Sequence, residues 1–331
     1  MIPMLDRREA LLALLASSGA VVAAQRARSQ AFLPIQTAQP EVRVLFFNTH
    51  LLPTMAQSIA GHRGQDDYRT AAIAAQLAQY DLVGLCEVFE SRRRREIVRI
   101  VNKDAKQAFQ AIEPPKVWGR HITGSGLLLL SRLPVEGEPH FLTYRSASRV
   151  ITNGVRADGL AAKGAIHARL RVGDAEDMLA DCFLTHLESV SAKARASQIK
   201  ELADFVAAHS SFERPLILMG DLNVEADFAA AAPDDKTEYQ FLTKSLHYAD
   251  GNLVDLWPAL QSGRGGTSDA LAQENCRRID YIFLSPPHGQ NRVGWQPSGM
   301  LVKPFLDAKV EQGSLSDHAA VECRLALQLA L

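Results

Sequence analysis

Short apolar runs that hold no polar residue and then stop at one recur along this chain of 331 residues. The clearest are LVGLC at 82–86, GLLLL at 126–130 and LILM at 216–219. A run of that length without alternation reads as a strand covered on both faces, because a strand with one wet face would turn polar at every second position. Further strands are expected at 42–47, 165–172, 178–185, 279–284 and 319–327. Helical spacing falls between them at 67–79, 92–109 and 192–209, the last with Ile199, Leu202, Phe205 and Val206 on one face. Strands alternating with helices build a layered α/β fold, with sheets inside and helices outside. Residues 225–278 and 285–314 have weaker periodicity and carry Gly, Pro and charged clusters. They are expected to be long loops with short helices over a cleft.

Composition bounds the function classes. With 47% hydrophobic and 22% charged residues the chain is globular, and its formal net charge of −1 supplies no global attraction for nucleic acid. The start of the chain reads as an export signal instead of structure. Arg7-Arg8 precede an apolar stretch at 10–24 that is short for a membrane span, and small residues offer cleavage after Ala24 or Ala31. Paired arginines there point to twin-arginine export, so the expectation is a signal at 1–31 and a single domain at 32–331. The four cysteines, Cys86, Cys182, Cys276 and Cys323, lack close CxxC spacing, and three lie in strand-like runs, where a buried free thiol is expected.

The polar residues that end the apolar runs carry the chemistry. In LILMGDLNVE, Asp221 and Asn223 would face the same way if the strand continued, and could orient a water and bind a phosphate oxygen; an Asx-type turn is the alternative. In LSDHAAVE, Asp317 and His318 stand at the mouth of a strand, and a histidine oriented by a carboxylate such as Asp280 can take a proton from water at neutral pH. Glu87 ends a buried strand, where a carboxylate must be paired, protonated or metal-bound. With Asn48 it could hold Mg²⁺; a salt bridge to the arginines at 92–95, otherwise read as a solvated helix face, is the alternative. His186 could donate to a phosphoryl oxygen, and His50 is read as a supporting or loop-packing residue. His140, His167 and His209 are read, with the remaining histidines, as structural or surface residues.

The ordered strings FFN, EVFE, THLES, GDLNVE, RIDYIFLS and LSDHAAVE resemble the endonuclease/exonuclease/phosphatase superfamily over about residues 42–327. That resemblance implies a deoxyribonuclease I-like four-layer α/β sandwich, two packed mixed sheets flanked by helices, with Mg²⁺-dependent phosphoester hydrolysis. Mn²⁺ or Co²⁺ would be the substitutes. It further implies Glu87 as principal metal ligand with Asn48 assisting and Asp317 nearby, Asp221 positioning water, and Asn223 and His186 on phosphate oxygens. His318 would be the acid/base and Asp280 its orienting carboxylate. NTHLLP, EVFE and the Lys163-Gly164 pair look like the bacterial type of neutral sphingomyelinase. Lys163 would then neutralise a phosphate oxygen or order a loop, with Asp158 as a partner, unless it is an exposed turn lysine.

The leading expectation is therefore an exported sphingomyelinase C acting on sphingomyelin in a phospholipid surface, with no obligate protein partner. Residues 286–305, with Trp295 and Met300, would offer a membrane-facing loop. The alternatives are a secreted nuclease, another phosphoesterase of the superfamily, or a noncatalytic membrane- or host-interaction protein.

Overall fold

The unbroken apolar runs become the inner strands of two stacked sheets. The computed structural model describes residues 41–53, 65–115, 123–147, 161–226, 237–248, 251–286 and 293–329. The expected export signal and Asp158 lie outside these. In chain order the first half comprises β1 (Glu41–Leu51), α1 (Asp66–Leu77), β2 (Leu82–Val88), α2 (Ser91–Val101), β3 (Gln110–Ile112), β4 (Leu128–Ser131), β5 (His140–Thr143) and β6 (Gly164–Arg171). Then come β7 (Leu179–His186), α3 (Ala192–His209), β8 (Leu216–Asp221), α4 (Glu238–Ser245), β9 (His247–Tyr248), β10 (Gly251–Asn252) and β11 (Val254–Asp255). The chain continues through α5 (Leu256–Leu260), β12 (Asp280–Leu284), β13 (Val293–Lys303) and β14 (Ala320–Leu329).

Six strands form one sheet in the order β13-β14-β1-β2-β4-β3, and six the other in the order β11-β12-β8-β7-β6-β5. Both are mixed: β1 runs parallel to β2, and β7 to β8, while the remaining neighbours are antiparallel. Phe46, Cys86, Leu184, Met219, Ile282 and Cys323 fill the space between the sheets. α1 and α2 cover the first sheet through Ile73, Leu77, Ile97 and Val101. α3 covers the second through Ile199, Leu202, Phe205 and Val206. The expected four-layer α/β sandwich, deoxyribonuclease I-like, is thus the architecture. At its centre Gly84 marks a close approach of the sheets, since a Cβ there would stand 2.7 Å from Leu184 Cδ1 and 2.8 Å from Met219 Sδ. All four cysteines are free thiols, with Cys86, Cys182 and Cys323 buried.

Three expectations change. The reading of 285–314 as a loop fails because 293–303 form β13, an edge strand that seats Trp295 and Met300 in the inter-sheet core. Its alternation was hidden by a register shift between Pro297 and Gly299, where a proline without an N–H and a bulge break the period of two. Trp295 and Met300 therefore form no membrane-facing loop. The second helix stops at Val101 instead of 109, capped by Asn102, whose side-chain oxygen accepts the Phe109 N–H at 2.7 Å. The arginine run is only half solvated: Arg93 and Arg94 are buried, Arg93 against Asp66 and Glu90 and Arg94 on Glu113. Among the described residues no helix is long and apolar enough to cross a membrane.

Candidate functional site

Strand pairing gathers the polar strand ends at one edge of the sandwich. In the second sheet Asp221, at the end of β8, lies directly across from His186 on β7 and Asp280 on β12, and Gly164 pairs with His186, which brings in Lys163. In the first sheet β1 delivers Asn48 beside Cys86 of β2, the neighbour of Glu87. Asp317 and His318 lead into β14. Because the sheets stack face to face, the two sets meet across the seam.

The joining contacts are short. Asn48 Nδ2 donates to Asp221 Oδ2 at 2.9 Å, linking the sheets. His318 Nδ1 is 2.8 Å from Asp280 Oδ2, and its Nε2 is 3.9 Å from Asp221 Oδ2. An ionised carboxylate only accepts, so this arrangement places a proton on Nδ1 and turns Nε2 toward the cleft. Lys163, 4% exposed, sets Nζ 2.8 Å from His186 Nε2, which rules out an exposed turn lysine. His186 Nε2 also lies 3.5 Å from Asp221 and 3.9 Å from Glu87. His50 Nδ1 meets Asp317 Oδ1 at 2.7 Å, so His50 sits at the rim in a supporting position.

Three of the converging residues have left-handed backbones: His50 at φ 48°, Glu87 at φ 60° and Asn223 at φ 52°. Such a conformation is costly for a residue with a Cβ, of order 1–3 kcal/mol, and clusters where side chains must be re-aimed. At Asn223 it ends the strand. The peptide N–H of Asn223 donates to Asp221 Oδ1 at 3.0 Å and its Nδ2 to Leu187 O at 3.0 Å. The expectation that Asp221 and Asn223 continue as an extended pair is thus corrected: the segment forms an Asx-type turn, which fixes Asp221 in place.

Burial dominates the electrostatics. It pushes the Asp221 carboxyl up to about 7, with Asp280 adding to the rise while His318, Lys163 and Asn48 oppose it. For His318 burial works downward but is outweighed by Asp280, then Asp221 and Asp317, which leaves the imidazole well above its ordinary value. His50 rises for the same reason, Asp317 outweighing burial. Burial above all, with Asp221 and Glu87 adding to it, drives the Cys86 thiol well above its usual range.

Several supporting residues carried no recognisable sequence signal. Arg69, fully buried, donates to Thr49 O at 2.7 Å, His50 O at 3.1 Å and Leu315 O at 2.9 Å, and pairs with Asp66 at 2.8 Å. It joins the end of β1, just past Asn48, to the segment before Asp317. Thr267 Oγ1 accepts the Ile279 and Asp280 N–H groups at 3.2 Å each. Ser316 Oγ donates to Asn48 O at 2.7 Å and accepts the His318 N–H at 3.1 Å. Of these only Ser316 stood inside a motif.

The donor set suits a hard divalent ion. Four carboxylates, Glu87, Asp221, Asp280 and Asp317, and the Asn48 amide converge at this edge of the sandwich, and Asp280 Oδ1 is buried without a hydrogen-bond partner. Oxygen donors of this kind fit Mg²⁺ or a similar ion better than a soft metal.

A two-sheet α/β sandwich of the deoxyribonuclease I-like type, with its polar residues at the joined strand ends, defines the class. The chain belongs to the Endonuclease/Exonuclease/phosphatase family, whose profile matches residues 46–318. This family comprises divalent-metal-dependent, generally hydrolytic phosphoesterases and nucleases. Solved structures share the fold at low identity. A doubly substituted beta toxin from Staphylococcus aureus, with bound magnesium ions, is 18% identical over 86% of this chain and 99% of its own, with a TM-score of 0.58. Sphingomyelinase C from Streptomyces griseocarneus is 19% identical over 87% and 99%, with a TM-score of 0.57. Humanized D. rerio TDP2 is 18% identical over 86% and 98%, also at 0.57. No curated protein matches this chain significantly.

Proposed function

We propose that this protein is an exported Mg²⁺-dependent phosphodiesterase that cleaves sphingomyelin, or a close sphingophospholipid, to ceramide and phosphocholine. The observation that carries the hydrolytic reading is the His318–Asp280 pair at 2.8 Å, which bridges the two sheets as the Asn48–Asp221 bond does at 2.9 Å. When bound by Glu87 and Asn48, with Asp317 at the rim, the cation would polarise the phosphodiester and offset the charge gathered on it. Asp221 and His318 Nε2, 3.9 Å apart, both lie within hydrogen-bond reach of a single water in the gap between them. His318 takes that proton as the water oxygen bonds to phosphorus, and the bond to the ceramide oxygen breaks in line. Lys163, held on His186 Nε2 at 2.8 Å, would supply the positive charge that stabilises the phosphoryl oxygens, while Asn223 holds the turn that aims Asp221. The ceramide oxygen takes its proton from solvent water, phosphocholine departs, and His318 returns its proton to solvent.

Lipid as substrate is supported by the rim. Leu271 and Leu306, 61% and 60% exposed, flank a shallow depression of about 400 Å³ with Pro304. The loop bearing Leu271 is tied to the site where the Ala270 N–H donates to Asp317 O at 2.7 Å. Large exposed leucines beside a polar cleft favour docking on an apolar interface. The basic surface of α2 gives weaker support to a nucleic-acid substrate, since Arg92 is paired with Asp67 and Arg99 with Glu96.

The test is one panel at matched Mg²⁺: sphingomyelin vesicles, phosphatidylcholine vesicles, plasmid DNA and an inositol phosphate. Phosphocholine release from sphingomyelin alone is the expected outcome. Preferential cleavage of DNA or of the soluble ester would overturn the substrate assignment, and full turnover in excess chelator would overturn the mechanism.

A further inference from the structure

Three imidazoles meet on the outer face of the second sheet, away from the cleft. His140 opens the edge strand β5, His167 is its register partner on β6, and His209 is the last residue of α3, which packs on that face. His140 Nδ1 and His167 Nδ1 are 3.3 Å apart. The His209 ring stacks on His140 at 4.1 Å between centroids and stands 5.4 Å from His167. One ring nitrogen from each lies within 4.8 Å of the other two.

The tautomer of the buried member is settled by its neighbour. Asp181, fully buried on β7, has Oδ1 2.9 Å from His167 Nε2, while its Oδ2 accepts the Arg214 Nε–H at 2.9 Å and the Ser211 N–H at 3.3 Å. A carboxylate held by a guanidinium remains a pure acceptor, so His167 carries its proton on Nε2 and presents the Nδ1 lone pair toward His140. A carboxylate behind a histidine whose other nitrogen faces an open group is the arrangement that orients metal-ligating imidazoles.

The spacing fits a particular ion. Zinc takes imidazole nitrogens at about 2.0–2.1 Å in tetrahedral geometry, which separates two such ligands by roughly 3.3 Å. His140 and His167 already have that separation. An N–H···N hydrogen bond explains the pair and ring stacking holds His209 on His140; together these contacts bring a third ring nitrogen within 4.8 Å of the other two. His140 is exposed and His209 only half-buried, so small side-chain rotations close the remaining gaps, and the exposed side leaves room for a water as fourth ligand. Three nitrogens select zinc, or Co²⁺, Ni²⁺ or Cu²⁺, over the oxygen-seeking Mg²⁺ of the cleft.

We propose that His140, His167 and His209 form a zinc-binding site that pins the edge strand β5 to the C-terminal end of α3. The site is separate from the cleft in both position and ligand chemistry. Its effect is on stability, and it makes the protein responsive to two metals of different class.

The test uses the full chain carrying Glu87→Gln, which weakens the cleft as a competing site, stripped by chelator and titrated with ZnCl₂ by calorimetry and thermal melting. One zinc equivalent and a raised Tm are expected, and CoCl₂ should give the visible absorption of a tetrahedral nitrogen-ligated ion. Removing the two accessible ligands in His140→Ala/His209→Ala, without touching the buried His167–Asp181 pair, should remove the equivalent, the Tm rise and the cobalt spectrum. With Glu87 intact, that double variant should retain its Mg²⁺-dependent turnover. If Glu87→Gln binds no zinc, the Nδ1 pair is an ordinary hydrogen bond and the proposal is overturned. It is equally overturned if the double variant binds zinc with unchanged affinity and stoichiometry.

Discussion

Replacing Asp221 by Asn should strengthen the fold at mildly acidic pH and disable the enzyme. The folded protein holds this carboxyl at about 7, against an ordinary value of 3.8, chiefly because it is buried and then because Asp280 lies beside it. An unfolded chain therefore gives up the proton first. The stability associated with the protonated carboxyl is complete below about 3.8 and is lost as pH rises toward about 7. At pH 6 the gap is about 2 pH units, worth roughly 3 kcal/mol at about 1.4 kcal/mol each. An amide escapes that loss but accepts only one of the two hydrogen bonds, from Asn48 Nδ2 and the Asn223 N–H, which costs about 1–2 kcal/mol. The net gain is about 1–2 kcal/mol, or about 2–3 °C in Tm for a domain of this size. Above pH 6.5 the gain shrinks, because His318 also loses the Asp221 charge that keeps it protonated. The assay is thermal and urea denaturation of both proteins in chelator from pH 4 to pH 7. A stability difference that stays constant from pH 4 to pH 6 would refute the reasoning. Phosphodiesterase turnover should fall by about 10²–10³ in the same variant, as when a preorganised charge or donor is removed from a reaction centre.

His318→Ala should lower kcat by about 10²–10⁴ in a variant that still unfolds cooperatively; a smaller loss measured on a well-folded variant points to another base. Adding Mg²⁺ should release protons, because a cation offsets the carboxylates that hold His318 high; calorimetry in two buffers of different ionisation heat measures this, and zero protons released contradicts it. In the metal-free protein the His318 contribution to stability should be complete below about pH 6.5 and fade as pH rises through the raised folded value, which a His318→Gln comparison reads out. Arg69→Ala should destabilise the fold by about 3–5 kcal/mol in urea denaturation, since buried Asp66 loses one of its guanidinium partners and three carbonyls lose a donor; a loss under about 1 kcal/mol would remove Arg69 from its linking role.

What the sequence alone determined was everything written in local period. Continuous apolar runs identified strands covered on both faces, α3 was legible to its last residue, and the layered α/β order followed from their alternation. Asn48, Glu87, His186, Asp221, Asp280, Asp317 and His318 stood out as polar side chains at the ends of apolar runs and Lys163 through the Lys-Gly resemblance, and the fold brings them together. Only tertiary structure decided the rest. β13 was invisible because a bulge at Pro297 broke its alternation, and the burial of Trp295 depends on β14, a strand well downstream in the chain. The left-handed turns at His50, Glu87 and Asn223 are held by surrounding contacts, not by glycine, so no local signal marked them. The partners of Arg69 and the meeting of His140, His167 and His209 join residues distant in the chain, and a composition or a motif contains no distances between them.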